Sequence, residues 1–400
     1  MSEACAPLAG LRVLDFGHTV MGPSATLVLA DLGADVIKIE PAPGGDPTRQ
    51  LKGFGIGYFG YFNRNKRSLA VDLKTAAGLR IARRLVAGSD VLVENFAPGT
   101  MERLQLSYPA LSQLNPGLIY ASLKGFLPGP YQERLALDEV VQMMSGLAYM
   151  TGPSGRPLRA GSSVVDITGG LFAVIAILVA LRERERDGRG RHLTSALFES
   201  AVFLMGQHLS YAAQVPGAIP PMPERVSAWA VYDVFTLKDG HQIFIGITTD
   251  SQWGRFCEAA GRPELGIDPQ LATNNLRVQA RARLMPILRE LFAALTLAEA
   301  TALSDRSRIS FAPVARPEDL PKDPHLNASG GLLATRLPNA IQARLPALPL
   351  EYDGQRLGLR RDPPEIGQHT QEILGEIGFS QAEIDELARS GAIVSSRKPV

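Results

Sequence analysis

The sequence predicts an open α/β fold with a parallel sheet, joined to a smaller α+β domain, and three observations carry that prediction. Leu11 to Phe16 and Val36 to Glu40 are short apolar runs flanking an Ala/Leu-rich segment that ends near Gly33, the pattern of a β-α-β unit. The pattern returns with a helix over 75–88, a strand at 90–94, another helix and a strand at 118–123. From Val231 the signals change to two strands, Val231 to Leu237 and Gln242 to Ile247, joined by the turn Lys238-Asp239-Gly240 and followed by helices to residue 305.

These segments divide the chain into a discontinuous large domain over 1–214 and 326–400, a linker at 215–224, a small α+β domain at 225–310 and a Pro-rich linker at 311–325. Within the large domain a helical run extends from Asp166 to Glu185, a Gly-rich turn spans Asp187 to Gly190, and an amphipathic segment covers Leu193 to Ala213. Gln371 to Gly378 and Gln381 to Ser390 read as tail helices. With 45% hydrophobic residues the chain is expected to hold about two to three domain-sized units with sizeable cores.

The charge balance narrows the function classes. A net charge of +1 gives no global field for nucleic acid or an anionic membrane, so any anion site is local. Cys5 and Cys257 make no disulfide framework and the six histidines no metal-ligand spacing, which fits a reducing compartment and no metal. The start MSEACAPLAG lacks the basic and apolar regions of a secretory signal, so a cytoplasmic protein is expected. The apolar stretch Ile167 to Leu181 is 15 residues long. That is short of the roughly 20 a bilayer requires, which predicts a buried helix.

Several segments could carry chemistry. Gly55-Ile56-Gly57-Tyr58-Phe59-Gly60 has the spacing of a dinucleotide fingerprint but neither leaves a predicted strand nor opens a predicted helix, which argues against NAD. Asp166 precedes a helix, where a carboxylate accepts the free N–H groups of the first turn and stays ionised at neutral pH. That is an ordinary helix cap and also a suitable place for a carboxylate nucleophile. Gly169 and Gly170 permit close approach, either by a bulky substrate or by another helix. His18 and the segment Glu94 to Gly99 with Arg103 follow predicted strands, hence lie on the rim where open sheets place ligands. Asn63-Arg64-Asn65-Lys66-Arg67-Ser68 concentrates three cations that either hold cofactor phosphates or lie in water.

Together these segments resemble the class III CoA-transferases, the family of formyl-CoA transferase and carnitine CoA-transferase that also contains the α-methylacyl-CoA racemases. The ordered matches are Leu14-Asp15-Phe16 with His18 and Gly22-Pro23, Leu32 to Glu40, Asn65 to Ser68, Asp90 to Phe96, Asn115-Pro116, Gly188-Arg189-Gly190 and Gly367 to Thr370. The resemblance implies a Rossmann-like large domain, a small domain and an interlocked-ring homodimer. It places the nucleophile at Asp166, and CoA along His18, Val20, Met21, Val71, Asp72, Leu73, Lys74, Asn95, Phe96, Ala97, Arg103, Ala136, Leu137, Asp138 and Glu139. Coenzyme A is then a substrate rather than a resident cofactor, and the partners are an acyl-CoA and a small carboxylic acid.

The expected activity moves CoA from an acyl-CoA, succinyl-CoA or a similar dicarboxyl-CoA, to a free acid, with Arg159 and Arg225 as candidate partners of a distal carboxylate. Val20 stands where formyl-CoA transferase has Gln, and that enzyme's glycine-rich loop has no counterpart between residues 215 and 260, so formyl specificity is not expected. Two rival readings are a racemase and a CoA-binding protein without turnover. Racemisation needs a second base where this chain has Leu137.

Overall fold

The computed structural model describes residues 6–225 and 227–395. The chain forms two compact units, one made of the residues up to Pro223 with those from Pro324 on, the other of Glu224–Asp323.

The first unit is built on a sheet of β1 (Arg12–Asp15), β2 (Asp35–Glu40), β3 (Lys66–Val71), β4 (Val91–Glu94), β5 (Ile119–Lys124) and β6 (Arg191–Ala196). They lie in the order 3-2-1-4-5-6 and are all parallel, and a seventh strand, Ile393–Val394, runs antiparallel to β3 at the edge. The helices up to the long one are α1 (Met21–Asp31), α2 (Ile56–Phe62), α3 (Ala76–Ala87), α4 (Thr100–Arg103), α5 (Tyr108–Leu114), α6 (Asp138–Met144), α7 (Leu147–Thr151) and α8 (Val164–Asp187).

Because successive strand residues point to opposite faces, each strand feeds two cores. Leu14, Ile37, Leu69 and Leu92 pack with Ile81 and Leu85 of α3 and with Ile373 and Leu374 near the C-terminus. Val13, Val36, Val91 and Ile119 pack with Leu29 of α1 and Ile177 of α8 on the other face. Reversal of strand order on either side of β1 opens a crevice between the ends of β1 and β4, the usual ligand position in such sheets.

Two strands differ from the sequence expectation. β3 contains Lys66 and Arg67 yet is buried along its whole length, because its cations are paired inside the protein. Lys66 Nζ lies 2.9 Å from Asp15, Arg64 2.7 Å from Asp31, and Arg67 2.6 Å from Asp35, with Glu372 and Glu376 completing the Arg67 pair. The cations of residues 63–68 therefore neither hold phosphates nor lie in water; they brace the sheet. β6 opens the stretch read as one amphipathic segment, since Arg191–Ala196 pairs with β5 before the helices at Leu197–Leu204 and Gly206–Gln214 begin.

Counted in full, α8 is 24 residues and apolar enough in length and composition to cross a bilayer, so the length argument does not hold. Its packing places it in the protein: one side lies on α1 and on the sheet. It ends where Gly188 takes φ +71°, the left-handed conformation that stops helices.

The second unit has an antiparallel sheet of β7 (Val231–Thr236), β8 (Gln242–Ile247) and β9 (Ser310–Pro313) over a core containing Phe235, Trp253, Phe256 and Phe292. The start of the segment read as a linker at 311–325 is thus a sheet strand. Cys257 is a buried thiol pushed up to about 12 by burial, and Cys5 lies outside the described residues.

Candidate active site

Two cavities open at the switch point and share His18 and Phe96. The first, about 390 Å3, is lined by the loop after β1 (His18, Val20, Met21), by Asn95 to Ala97 after β4, by residues after β5 including Ala136 and Leu137, and by Asp138 and Asp166. The second, about 370 Å3, lies on the other side of His18 between Phe16, Ile39, Pro41, Asp46 and the segment Val71 to Lys74.

The loop after β1 is held from three sides. Asn95 accepts from the backbone N–H of His18 at 2.8 Å and donates to its carbonyl at 2.9 Å, so one side chain after β4 fixes the backbone after β1. Buried Lys38 bridges the Gly17 carbonyl and Asp46, 2.8 Å from the latter. Thr19 takes φ +63°, rare for a β-branched residue, with its hydroxyl 2.9 Å from His18 Nδ1. Burial, reinforced by Lys38, lowers the His18 pKa and keeps the ring neutral.

Asp166 is the third residue of α8 rather than the residue before it, so it does not cap the helix. Asp138 does: its carboxylate accepts from the N–H of Val165 at 2.9 Å and from that of Asp166 itself at 3.1 Å. Asp138 is buried, and Gln142 holds its other oxygen at 2.5 Å while accepting from the N–H of Ala160 at 2.8 Å. The Asp166 carboxylate accepts no hydrogen bond from any described residue. Burial and the charge of Asp138, against a weaker pull from Arg159, push it up to about 7, which corrects the expectation of a carboxyl fully ionised at neutral pH.

Gly169 and Gly170 have a packing reason. A Cβ on Gly170 would stand 2.3 Å from Ser24 Oγ and 3.0 Å from the Met21 carbonyl, and one on Gly169 would stand 2.5 Å from Met21 Cε. Helix α8 therefore presses directly on the start of α1, bringing Asp166 beside the His18 loop.

Residues 8–370 match CoA-transferase family III. The chain belongs to this family. It is 34% identical over 408 residues to succinyl-CoA:glutarate CoA-transferase of Mus musculus, covering 98% of this chain and 91% of that one. It is 30% identical to formyl-CoA:oxalate CoA-transferase of Bradyrhizobium diazoefficiens, covering 98% of both. The fold is similar to that of a CAIB/BAIF family protein from Brucella suis, with TM-score 0.83, 32% identity, and coverage of 93% of this chain and 99% of that one.

As a family III CoA-transferase the chain is an enzyme acting on CoA thioesters, and the residues assigned to CoA by resemblance can be placed. Val20, Met21, Asn95, Ala97, Ala136, Leu137 and Asp138 line the cavity of Asp166; Val71, Asp72, Leu73 and Lys74 line the other; His18 and Phe96 line both. Asn95 and Asp138 turn their side chains to the protein backbone. Arg103 and Glu139 line neither cavity. Arg103 is exposed at the end of α4, donating to Thr100 at 2.8 Å, and Glu139 stands exposed 3.8 Å from Arg159.

Arg159 is not in the lining either; it lies 3.5 Å from Asp138. Arg225 is in the second unit. The sequence analysis names neither Lys124 nor Arg134, both of which line the cavity of Asp166. Lys124 ends β5 at the ligand-binding rim, a signal that could have found it; Arg134 sits in an irregular loop and carries no such signal.

Proposed function

We propose that this enzyme moves CoA from a dicarboxylic acyl-CoA, succinyl-CoA or one like it, to a free carboxylic acid through covalent intermediates on Asp166. The observation that carries the reading is a carboxylate without a hydrogen-bond partner among the described residues, in the wall of a cavity that shares His18 and Phe96 with a second.

Asp166 attacks the donor thioester carbonyl; the C–S bond breaks, CoA leaves as thiolate, and an aspartyl–acyl anhydride remains. The thiolate attacks the aspartyl carbonyl, the donor acid departs as carboxylate, and an aspartyl-CoA thioester forms. The acceptor carboxylate attacks that thioester, releasing thiolate and forming a new anhydride. Attack of the thiolate on the acceptor's acyl carbonyl then yields the product and restores Asp166. Each step exchanges thiolate for carboxylate, so no further reactant is needed. The names of the similar succinyl-CoA:glutarate transferases support a dicarboxylic donor.

The enzyme is proposed to work as the interlocked homodimer that the resemblance implies. Leu171, Ile175 and Val179 recur every four residues on α8 and stand 45–57% exposed, and Phe203, whose ring centroid lies 5.1 Å from that of Phe172, is 68% exposed. An apolar stripe of this kind is expected at a subunit contact.

The test is CoA exchange between succinyl-CoA and a panel of acids in the wild type and Asp166→Ala, with mass spectrometry of hydroxylamine-treated protein. Transfer that vanishes in the variant, with modification at Asp166 in the wild type, is expected. Exchange of the substrate α-proton with solvent deuterium, without transfer, would favour the racemase instead.

A further inference from the structure

We propose that Arg134 is the specificity-determining residue that receives the distal carboxylate of dicarboxylic substrates; the inference rests on the transferase reading above and names the group that selects its acids.

The catalytic cavity contains two carboxyl groups, Asp138 and Asp166, and a dicarboxylate acceptor brings two more. Its wall offers two permanent cations, Lys124 and Arg134. Lys124 is already committed: its ammonium lies 2.7 Å from Glu94 and donates to the Phe96 carbonyl at 3.0 Å. Arg159, outside the lining, is committed to Asp138 and Glu139.

Arg134 is different. No carboxylate among the described residues pairs with it, and its guanidinium carbon lies 4.2 Å from the centroid of the Tyr131 ring. Stacking on an aromatic face restrains the side chain while leaving the N–H edges of the guanidinium free. Those edges match a carboxylate in bidentate fashion, and a cation in the same cavity wall as the two acids offsets the repulsion an incoming dianion meets. Because donor acyl group and acceptor acid occupy one site in turn, the same arginine serves both half-reactions.

The experiment compares kcat/KM for transfer from succinyl-CoA to glutarate with that for transfer from butyryl-CoA to valerate in the wild type, Arg134→Gln and Arg134→Lys. The ratio of the first to the second is expected to fall roughly 10- to 100-fold in Arg134→Gln, the range for loss of a charged hydrogen bond, and to recover partly in Arg134→Lys. Equal loss with both substrate pairs would mean that Arg134 serves the CoA portion they share and would overturn the proposal. A wild-type preference for dicarboxylates that survives in Arg134→Gln overturns the Arg134 assignment alone. A wild type without that preference defeats the substrate reading, and the assignment with it.

Discussion

Replacing Asp166 by Asn should stabilise the protein, and only at high pH. The wild-type carboxyl is moved from an ordinary 3.8 to about 7. A raised carboxyl value means that the folded state resists ionisation. The resulting destabilisation is absent below the unfolded value near 4, grows between there and 7, and is complete above 7. At about 1.4 kcal/mol per factor of ten in proton affinity, the full effect is roughly 4 kcal/mol. Asp166 is only partly shielded, so local relaxation and water reduce that to about 2 kcal/mol. Asn matches the neutral carboxyl in shape and never ionises. The assay is calorimetric unfolding of both proteins at pH 8 and pH 4.5. The variant is expected to melt about 3 °C higher at pH 8, with a clearly smaller gap at pH 4.5. Titration of groups that do not interact with Asp166 cancels in the difference between the two proteins. A gap that is absent at pH 8, or that widens in acid, would refute burial and Asp138 as the controlling influences on Asp166.

Other outcomes follow from the same contacts. If ionised Asp166 is the attacking group, kcat/KM should rise with pH through about 7, and Asp138→Asn, by removing a neighbouring negative charge, should move that midpoint down; a pH-rate series on both proteins checks the direction. Lys66→Met leaves Asp15 buried without its 2.9 Å partner and should lose about 3–5 kcal/mol in urea unfolding; a loss below about 1 kcal/mol would remove this pair from the account of β3. Gly170→Ala should lose about 1–2 kcal/mol because its Cβ meets Ser24 Oγ at 2.3 Å, outweighing the better helix propensity, and adding Ser24→Ala should restore part of the loss.

Much of the architecture was legible because its strands are apolar runs closed by turn residues: β7 and β8 begin where the pattern predicts and end within a residue of it. β3 was not, since Lys66 and Arg67 read as solvated charge unless their partners are known. Asp15 and Asp31 are 51 and 33 residues from the cations they meet. The site shows the same division. Asp166 and the rim after β1 and β4 could be found from helix and strand ends, which are local signals. The cap could not: Asp138 meets the N–H of Asp166 across 28 residues, and a carboxylate ahead of a helix looks the same in sequence whether it caps that helix or another does. Gly169 and Gly170 left substrate approach and helix packing equally open until Ser24 and Met21 were seen against them.

The contact of α8 with α1 also bears on how such an enzyme can change. Backbone lies against backbone at Gly170, so the seam between α8 and α1 admits almost no variation in side-chain size. The wall of the Asp166 cavity includes the irregular chain between β5 and α6, where Gln132, Arg134, Leu135 and Leu137 stand exposed. Drift and selection can rewrite that wall while the seam keeps Asp166 in register with the His18 loop. A library meant to retune acid preference belongs in residues 132–137, whereas diversity placed along the helix seam costs stability, as at Gly170.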